Sequence, residues 1–257
     1  MRFIREPKVY LLSRQLVSEE ELKRFLSDEG CAEWRTDAAS GAEKLCETAG
    51  RLCYLSFGKG RKTNREYLGH ILEVGHGSVL EHAVWNFLVT GVSRSFTHEL
   101  VRHRAGFGYS QLSQRYVDES ETNFVAPDCI AEDEELRALF EETCRKAQAA
   151  YVKLVNKLAE RFEGVQDRTL RRKMARQAAR SVLPNATETK ILFTANARAL
   201  RNFIELRASE HAESEIRKVA LLVLKIMQRE APAIFGDYLL RPLPDGTQEA
   251  VTKFRKV

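Results

Sequence analysis

The 257-residue chain lacks the long hydrophobic runs of a membrane protein and the strong charge excess of a nucleic-acid-binding protein. No apolar run approaches the ~20 residues that a membrane-spanning helix needs. The first residues lack the apolar core of a signal peptide. The net charge is only +5, with both signs mixed along most predicted helices. We therefore expect a cytoplasmic protein that binds neither membranes nor nucleic acid.

Cysteine is also scarce, and its spacing excludes two common uses. The five cysteines, Cys31, Cys46, Cys53, Cys129 and Cys144, are odd in number and form no Cys-x-x-Cys pair. Neither a disulfide framework nor a zinc site is indicated. We expect each to be a small buried hydrophobic residue. Cys129 has the least helical surroundings, yet no base is placed beside it, so no cysteine nucleophile is predicted.

The hydrophobic pattern predicts a chain of mixed helix and strand. The strands are too few for a doubly wound sheet. We expect one α+β domain over residues 1–257, with a central mixed or antiparallel sheet packed with helices and a helical extension at about 133–182. The expected strands are 8–12, 83–90 and 189–195, and the expected helices are 19–27, 37–55, 64–74, 93–104, 133–162, 169–182, 197–208 and 213–230.

The most informative segment is 102–116, which reads Arg-His-Arg-Ala-Gly-Phe-Gly-Tyr-Ser-Gln-Leu-Ser-Gln-Arg-Tyr. It is too polar to be buried without partners. Arginine grips phosphate or carboxylate with two parallel hydrogen bonds. Gly106 and Gly108 are expected to end the preceding helix, which leaves the Arg-His-Arg triplet at its carboxyl end. Such a mixture suits a polyanion with planar groups, such as a nucleotide or a flavin dinucleotide.

A second cluster brings two histidines and a glutamate within seven residues, at His76, Glu81 and His82. This composition invites a metal site, but the spacing does not match a helical His-x-x-x-His pair. We therefore predict no metal. A histidine that caps a turn is the structural alternative for His76.

Two further clusters have ordinary structural alternatives. Arg176 and Arg180 lie four residues apart on one predicted helix face, which is typical of a solvated surface. On the predicted helix 197–208 and its continuation, Arg198 with Asn202, and Arg207 with His211, are one turn apart, as in a charged amphipathic helix. Asparagine is a poor helix former, and Asn196 and Asn202 have no structural purpose visible in the sequence.

Taken together, these four clusters resemble those of the flavin-dependent thymidylate synthases. In that family an Arg-His-Arg triplet is followed in most members by seven residues and a serine, whereas eight residues separate Arg104 from Ser113 here. The tail Ser-Gln-Leu-Ser-Gln-Arg-Tyr matches closely. The remaining clusters follow in the family's order, and the matches run from about residue 50 to about residue 240.

The resemblance implies reductive C5-methylation of dUMP to dTMP. Methylenetetrahydrofolate would donate the carbon, NADPH-reduced FAD would be the hydride source, and no cysteine nucleophile would be used. The resemblance also implies a homotetramer whose flavin sites are shared between subunits. The longer loop leaves open a UMP/dUMP C5-methylase of a nucleoside-antibiotic pathway. An RNA-binding module and a flavoprotein that only oxidises NADPH are more distant alternatives.

The resemblance also implies roles for individual residues. Arg207 is the expected catalytic residue, because it corresponds to the arginine that holds and polarises the pyrimidine. The nucleotide-binding residues implied are Arg94, Glu99, Gln111, Leu112, Ser113, Gln114, Arg115, Arg180 and Arg207. The FAD-binding residues implied are His76, Ser78, Glu81, Arg102, His103, Arg104, Gln111, Asn196, Arg198, Asn202 and His211.

Overall fold

A computed structural model describes all residues 1–257, and it has the α+β composition that the sequence predicts. Two 3-10 helices, Gly77–His82 and Arg180–Val182, complete the regular structure. The α-helices are α1 Glu19–Asp28, α2 Gly41–Cys53, α3 Asn64–Val74, α4 Arg94–Leu100, α5 Asp128–Ala131, α6 Glu134–Arg161, α7 Arg168–Ala179, α8 Ala197–Arg207, α9 Ser214–Glu230 and α10 Pro232–Phe235. The strands are β1 Phe3–Ile4, β2 Lys8–Ser13, β3 Val84–Ser93, β4 Phe107–Gln111, β5 Phe124–Val125, β6 Glu188–Asn196, β7 Leu239–Pro242 and β8 Gln248–Val251.

The strands form one four-stranded sheet and two small ones. The larger sheet has the order β2-β3-β6-β4. The strand pair β1 and β5 is parallel, with Phe3 opposite Phe124. The pair β7 and β8 is an antiparallel hairpin in which Arg241 lies opposite Glu249. No helix combines the length and the apolar composition needed to cross a membrane.

The chain divides into two compact units that do not follow its linear order. Unit 1 comprises residues 1–8, 89–102 and 110–192, and unit 2 comprises residues 9–88, 103–109 and 193–257. The helical region predicted at about 133–182 lies within unit 1. The segment 102–116 is divided, since 103–109 belongs to unit 2 and the rest to unit 1.

Each unit has its own aromatic core. In unit 1, Phe3 stacks on the fully buried Phe124 with ring centroids 6.2 Å apart, and Tyr151 of α6 is also fully buried. In unit 2, Phe87 and Phe193 stack at 5.1 Å, and both are fully buried. Such rings remove large apolar areas from water and fix the elements that carry them. These packed rings fix the strands and helices to which the candidate functional segments are joined.

The helix predicted at 93–104 is shorter than expected. Ser93 caps it as predicted, but α4 ends at Leu100, and the Arg102 amide bonds the carbonyl oxygen of Glu99 at 3.1 Å in a tighter turn. The chain turns here because it must enter β4, a strand that the polar sequence of the segment did not predict. Arg102 therefore does not continue the helix face of Arg94 and His98.

Other boundaries shift for similar local reasons. The helix expected at 37–55 starts at Gly41, because the Ser40 side chain caps it by accepting from the Glu43 amide. The helix expected at 169–182 ends at Ala179, so Arg180 lies in the following 3-10 helix. Arg176 does not belong to a purely solvated surface either, because its guanidinium donates to Asp118 at 2.7 Å.

Candidate active site

In unit 1, Arg94 is presented by the junction between β3 and α4. The Ser93 hydroxyl oxygen accepts from the Phe96 amide at 3.0 Å, which caps the helix and makes Arg94 its first residue. The Arg94 and Ser95 amides donate to the carbonyl oxygens of Thr187 and Asn185 at 3.0 and 3.1 Å. The start of the helix is thus held against the segment that follows Arg180.

The Arg94 guanidinium lacks a full set of partners. Its Nη1 is buried and has no hydrogen-bond partner. Burial lowers the pKa of Arg94, and the nearby positive charge of Arg180 lowers it further. Two cations kept close together in a half-buried setting are stabilised by an anion between them. The arrangement indicates an anion-binding site.

Two more unpaired donors lie in the segment after β4. The Nε atom of Arg115 and the Nε2 atom of Gln114 are both buried without a hydrogen-bond partner, and Gln114 is only 6% exposed. The Ser113 hydroxyl accepts from the Arg115 amide at 3.3 Å, so the backbone here is a tight turn. Leaving a buried donor unpaired costs about 1–3 kcal/mol. A ligand rich in oxygen acceptors would remove that cost.

Gln111 is fixed by two threonines of unit 1. Its Nε2 lies 3.0 Å from the Thr97 hydroxyl oxygen and 3.3 Å from that of Thr189. The next residue, Leu112, donates its amide to the Lys190 carbonyl oxygen at 2.9 Å. These bonds hold the predicted nucleotide-binding segment 111–115 in place.

Nearly all residues predicted to bind the nucleotide therefore belong to the same unit. Arg207 is the one that lies in unit 2. The members of the predicted set within unit 1 are Arg94, Glu99, Gln111, Leu112, Ser113, Gln114, Arg115 and Arg180.

Sequence reasoning did not identify Glu119, which lies in this region of unit 1. It is 3% exposed, and its Oε1 has no hydrogen-bond partner. Burial raises the pKa of the Glu119 carboxyl group, while a hydrogen bond from Thr122 and the charge of Arg94 lower it. Burial is the larger effect, so the pKa of Glu119 is raised overall, and its carboxyl group lies near enough to Arg94 to interact with it electrostatically. A glutamate in a polar stretch gives no sequence signal that it will be buried.

In unit 2, the predicted flavin-binding histidine follows the end of α3. Gly75 ends that helix in the left-handed conformation, with φ of 73°, and His76 leads into the 3-10 helix. His76, Ser78 and Glu81 are all exposed, which places them on the surface of their unit. The Arg198 Nη1 donates to Glu81 Oε1 at 2.6 Å.

Gly77 allows a close approach of chain segments in this cluster. A Cβ atom at this position would lie 2.8 Å from Nε of Arg198 and 2.7 Å from the carbonyl carbon of Val257. Any larger residue would therefore displace Arg198 or the end of the chain. The glycine brings the backbone of the His76 segment directly against α8.

Asn196 has a clear structural purpose, contrary to the sequence interpretation. Its Oδ1 accepts from the Ala199 amide at 2.8 Å and so caps α8. Arg198 and Asn202 are exposed on the same helix. The helix ends at Arg207, where the Ala208 carbonyl oxygen accepts from the Ala250 amide of β8. His211 lies beyond this end, so it is not one helical turn from Arg207 as expected.

Arg207 and His103, which the sequence assigns to different roles, are hydrogen-bonded within unit 2. Arg207 Nε donates to His103 Nε2 at 3.1 Å. His103 is 8% exposed, while Arg207 is half-buried. The other two arginines of the triplet, Arg102 and Arg104, are exposed. The triplet thus directs its histidine inward and its arginines outward.

The cysteines do not all behave as expected. Burial raises the pKa of Cys46 to about 12 and that of Cys144 to about 11, so both thiols stay protonated at neutral pH. The expectation of burial is wrong for Cys53 and Cys129, which are exposed, and Cys31 is only partly buried. No group of three His, Cys, Asp or Glu side chains is placed to hold a metal ion.

Comparison with known proteins identifies the family. Residues 36–233 match the model of the family described as thymidylate synthase complementing protein, Thy1. A protein named flavin-dependent thymidylate synthase from Mycobacterium sp. (strain JLS) is 54% identical over 226 residues, which cover 85% of this chain and 88% of the relative. Proteins of the same name from Mycobacteroides abscessus and Corynebacterium efficiens are 52% and 50% identical, covering 86% of this chain and 88% and 89% of their own lengths. The chain therefore belongs to the Thy1 family, which includes the flavin-dependent thymidylate synthases.

Proposed function

We propose that this chain is a flavin-dependent thymidylate synthase that methylates C5 of dUMP to give dTMP. Methylenetetrahydrofolate would donate the carbon, and NADPH would supply the reducing equivalents through FAD. The family membership supports this proposal. The structural observation that carries it is the set of unpaired buried donors on Arg94, Gln114 and Arg115, which suits a nucleotide phosphate.

The residues of unit 1 would bind the nucleotide. Arg94, Ser113, Arg115 and Arg180 combine positive charge with a hydroxyl group, and a phosphate dianion needs both kinds of donor. The amide of Gln111 is already oriented by its two threonine contacts and would bind the sugar or the base. The remaining nucleotide-binding residues proposed are Glu99, Leu112 and Gln114.

The side chains predicted to bind FAD fit that cofactor in their chemistry. The loop backbone lies against the start of α8 at Gly106. A Cβ atom at this position would lie 2.7 Å from the side-chain nitrogen Nδ2 of Asn196. Around it, guanidinium, imidazole and amide groups offer donors to a pyrophosphate and to the carbonyl edge of a flavin ring. When bound, FAD supplies the reducing equivalents. The residues proposed to hold it are His76, Ser78, Glu81, Arg102, His103, Arg104, Gln111, Asn196, Arg198, Asn202 and His211.

Arg207 is proposed to act on the uracil ring. A guanidinium is always cationic at neutral pH, so it stabilises the negative charge that develops on the pyrimidine as C5 becomes nucleophilic. The buried thiols of Cys46 and Cys144 are unsuited to attack on the ring because their pKa values are raised. In the proposed chemistry no cysteine attacks the ring.

We also propose that the chain works as one domain within a homotetramer whose flavin sites are shared. His76, Ser78, Glu81, Arg198, Asn202 and His211 are all exposed in the single chain. Exposed polar groups bind a ligand tightly only where other surfaces exclude water. A neighbouring subunit would supply that cover.

Product analysis tests the proposed function. The purified protein is supplied with FAD, NADPH and methylenetetrahydrofolate, and with dUMP or UMP in parallel reactions. We expect dTMP from dUMP and little methylated product from UMP. Comparable methylation of UMP would support the alternative suggested by the eight-residue spacing between Arg104 and Ser113. NADPH consumption without any methylated pyrimidine would contradict both proposals.

A further inference from the structure

We infer that His103 is a positioning residue that orients the guanidinium of Arg207. This inference rests on the proposed function, since it concerns the residue proposed to polarise the uracil. Its basis is the 3.1 Å hydrogen bond from Arg207 Nε to His103 Nε2 within unit 2. This task acts through another side chain and is additional to the contact with FAD proposed above for His103.

The direction of this hydrogen bond determines the protonation of the imidazole at one nitrogen. Arginine nitrogens only donate, so His103 Nε2 must accept and carries no proton. A neutral imidazole then carries its proton on Nδ1. A doubly protonated ring could not accept from Arg207, because both nitrogens would be donors.

The imidazole is held in place by aromatic neighbours of the same unit. Phe203 of α8 meets it edge-on with ring centroids 5.2 Å apart, and Phe107 of β4 lies at 5.8 Å. The Tyr109 hydroxyl donates to the His103 carbonyl oxygen at 2.6 Å. With only 8% exposure, the ring has little room to change its orientation. It is therefore a rigid acceptor.

A rigid acceptor at Nε constrains the whole guanidinium. The three nitrogens of arginine are coplanar, so a fixed Nε–H direction defines the plane in which the two terminal nitrogens point. Arg207 is the last residue of α8, where the helix no longer supports the side chain from both directions. His103 thus supplies the orientation that the end of the helix does not.

Two variants separate this role from simple packing. His103→Gln keeps an uncharged acceptor at about the reach of Nε2, because a glutamine amide can imitate that nitrogen. His103→Phe keeps a planar ring among Phe107 and Phe203 but removes the acceptor. A positioning role predicts that Gln retains function and Phe loses it, whereas a packing role predicts the reverse.

The expected kinetic result is a loss in kcat. His103→Phe should lower kcat about tenfold to hundredfold, the effect of losing a hydrogen bond to a charged group. The KM for dUMP should change little, and FAD should stay bound through the other residues proposed to hold it. His103→Gln should stay within about fivefold of wild-type kcat. Wild-type kcat in His103→Phe, an equal loss in both variants, or loss of bound FAD in both would overturn the inference.

Crystal structures of the two variants give a readout that does not depend on activity. We expect the Arg207 guanidinium to keep its orientation in His103→Gln and to move in His103→Phe. An unmoved guanidinium in His103→Phe would overturn the positioning role. If wild-type protein made no dTMP, the proposed function would fail, but this structural comparison would still decide whether His103 orients Arg207.

Discussion

The two units of this chain hold their candidate functional residues in opposite states. In unit 1, donors of Arg94, Gln114 and Arg115 are buried and have no partner within the protein. In unit 2, four candidate side chains bond to one another in two pairs: Arg198 to Glu81, and Arg207 to His103. The candidate site of unit 1 therefore has buried donors without acceptors, whereas these four side chains of unit 2 already have partners.

This difference indicates two kinds of binding surface. In unit 1 the folded protein already holds buried donors without partners, so these donors are oriented for a ligand before it binds. Most of the flavin-binding candidates of unit 2 are exposed and need an additional surface to exclude water, although His103 is buried and Asn196 is partly buried. We expect changes in unit 1 to act mainly on nucleotide affinity, and changes at Arg207 in unit 2 to act mainly on turnover.

The largest effect is expected from Arg207→Ala. Removing the cation proposed to stabilise charge on the uracil should reduce kcat by about a hundredfold to a thousandfold. FAD should remain bound, as shown by the flavin absorbance of the purified variant. Turnover at the wild-type rate would remove Arg207 from the mechanism and with it the catalytic contribution assigned to unit 2.

The next effect tests the nucleotide site of unit 1. Arg94→Met and Arg115→Met each remove a cation with an unpaired buried nitrogen, and each should weaken dUMP binding about tenfold to hundredfold. Titration calorimetry with dUMP measures this directly. Arg161→Met, at the exposed end of α6, is the matched control and should bind normally. Unchanged dUMP affinity in both Arg94→Met and Arg115→Met would contradict the proposal that the unpaired donors of unit 1 bind the nucleotide.

A smaller effect concerns the loop of unit 2. Gly106 has φ of +74°, and a Cβ atom there would lie 2.7 Å from Asn196 Nδ2 and 2.8 Å from the Ala199 Cβ. Gly106→Ala should cost about 1–2 kcal/mol of unfolding free energy, because an L-residue is strained in this region. Denaturant unfolding measures the loss. Gly164→Ala, at a position with open space, should change stability much less.

The smallest expected effect is the pH dependence of protein stability that arises from the hairpin of β7 and β8. Glu249 accepts from Arg241 at 2.7 Å and from the Glu210 amide at 3.1 Å. The hydrogen bond from Arg241 is the main cause that lowers the pKa of Glu249 below its ordinary 4.5. A carboxyl group with a lowered pKa stabilises the fold above its unfolded-state pKa and loses that contribution on acidification.

Wild-type protein should therefore lose more stability than Glu249→Gln as the pH falls from 4.5 into the acid range. Thermal unfolding at a series of pH values compares the two proteins. Parallel pH profiles would show that the Glu249 interactions do not stabilise the folded state.

The sequence predicted the long amphipathic helices, and it predicted helix ends where capping residues or a glycine mark them. The helix expected at 64–74 is observed with the same bounds, because Thr63 and Glu66 form a capping box and Gly75 ends it. In contrast, β4 was not predicted, because Phe107–Gln111 is short, contains a glycine and has little hydrophobic alternation. Its strand conformation comes from pairing with β6 in the sheet, which is a tertiary effect.

The sequence predicted which residue types make up the candidate site, but it did not predict the hydrogen bonds between them. Arginine, asparagine and histidine at the family positions predicted an anion-binding surface. The bond between His103 and Arg207 joins residues that are 104 positions apart, and no local pattern encodes such a pair. The burial of Glu119 likewise depends on packing within unit 1, since Tyr151 and Thr122 contact it.

The most direct test of the account is a crystal structure of the protein with dUMP and FAD. The account predicts that the dUMP phosphate lies within hydrogen-bond distance of Arg94, Ser113 or Arg115, with the flavin ring stacked on the uracil. A nucleotide bound away from these three residues, with their buried donors still unpaired, would contradict it.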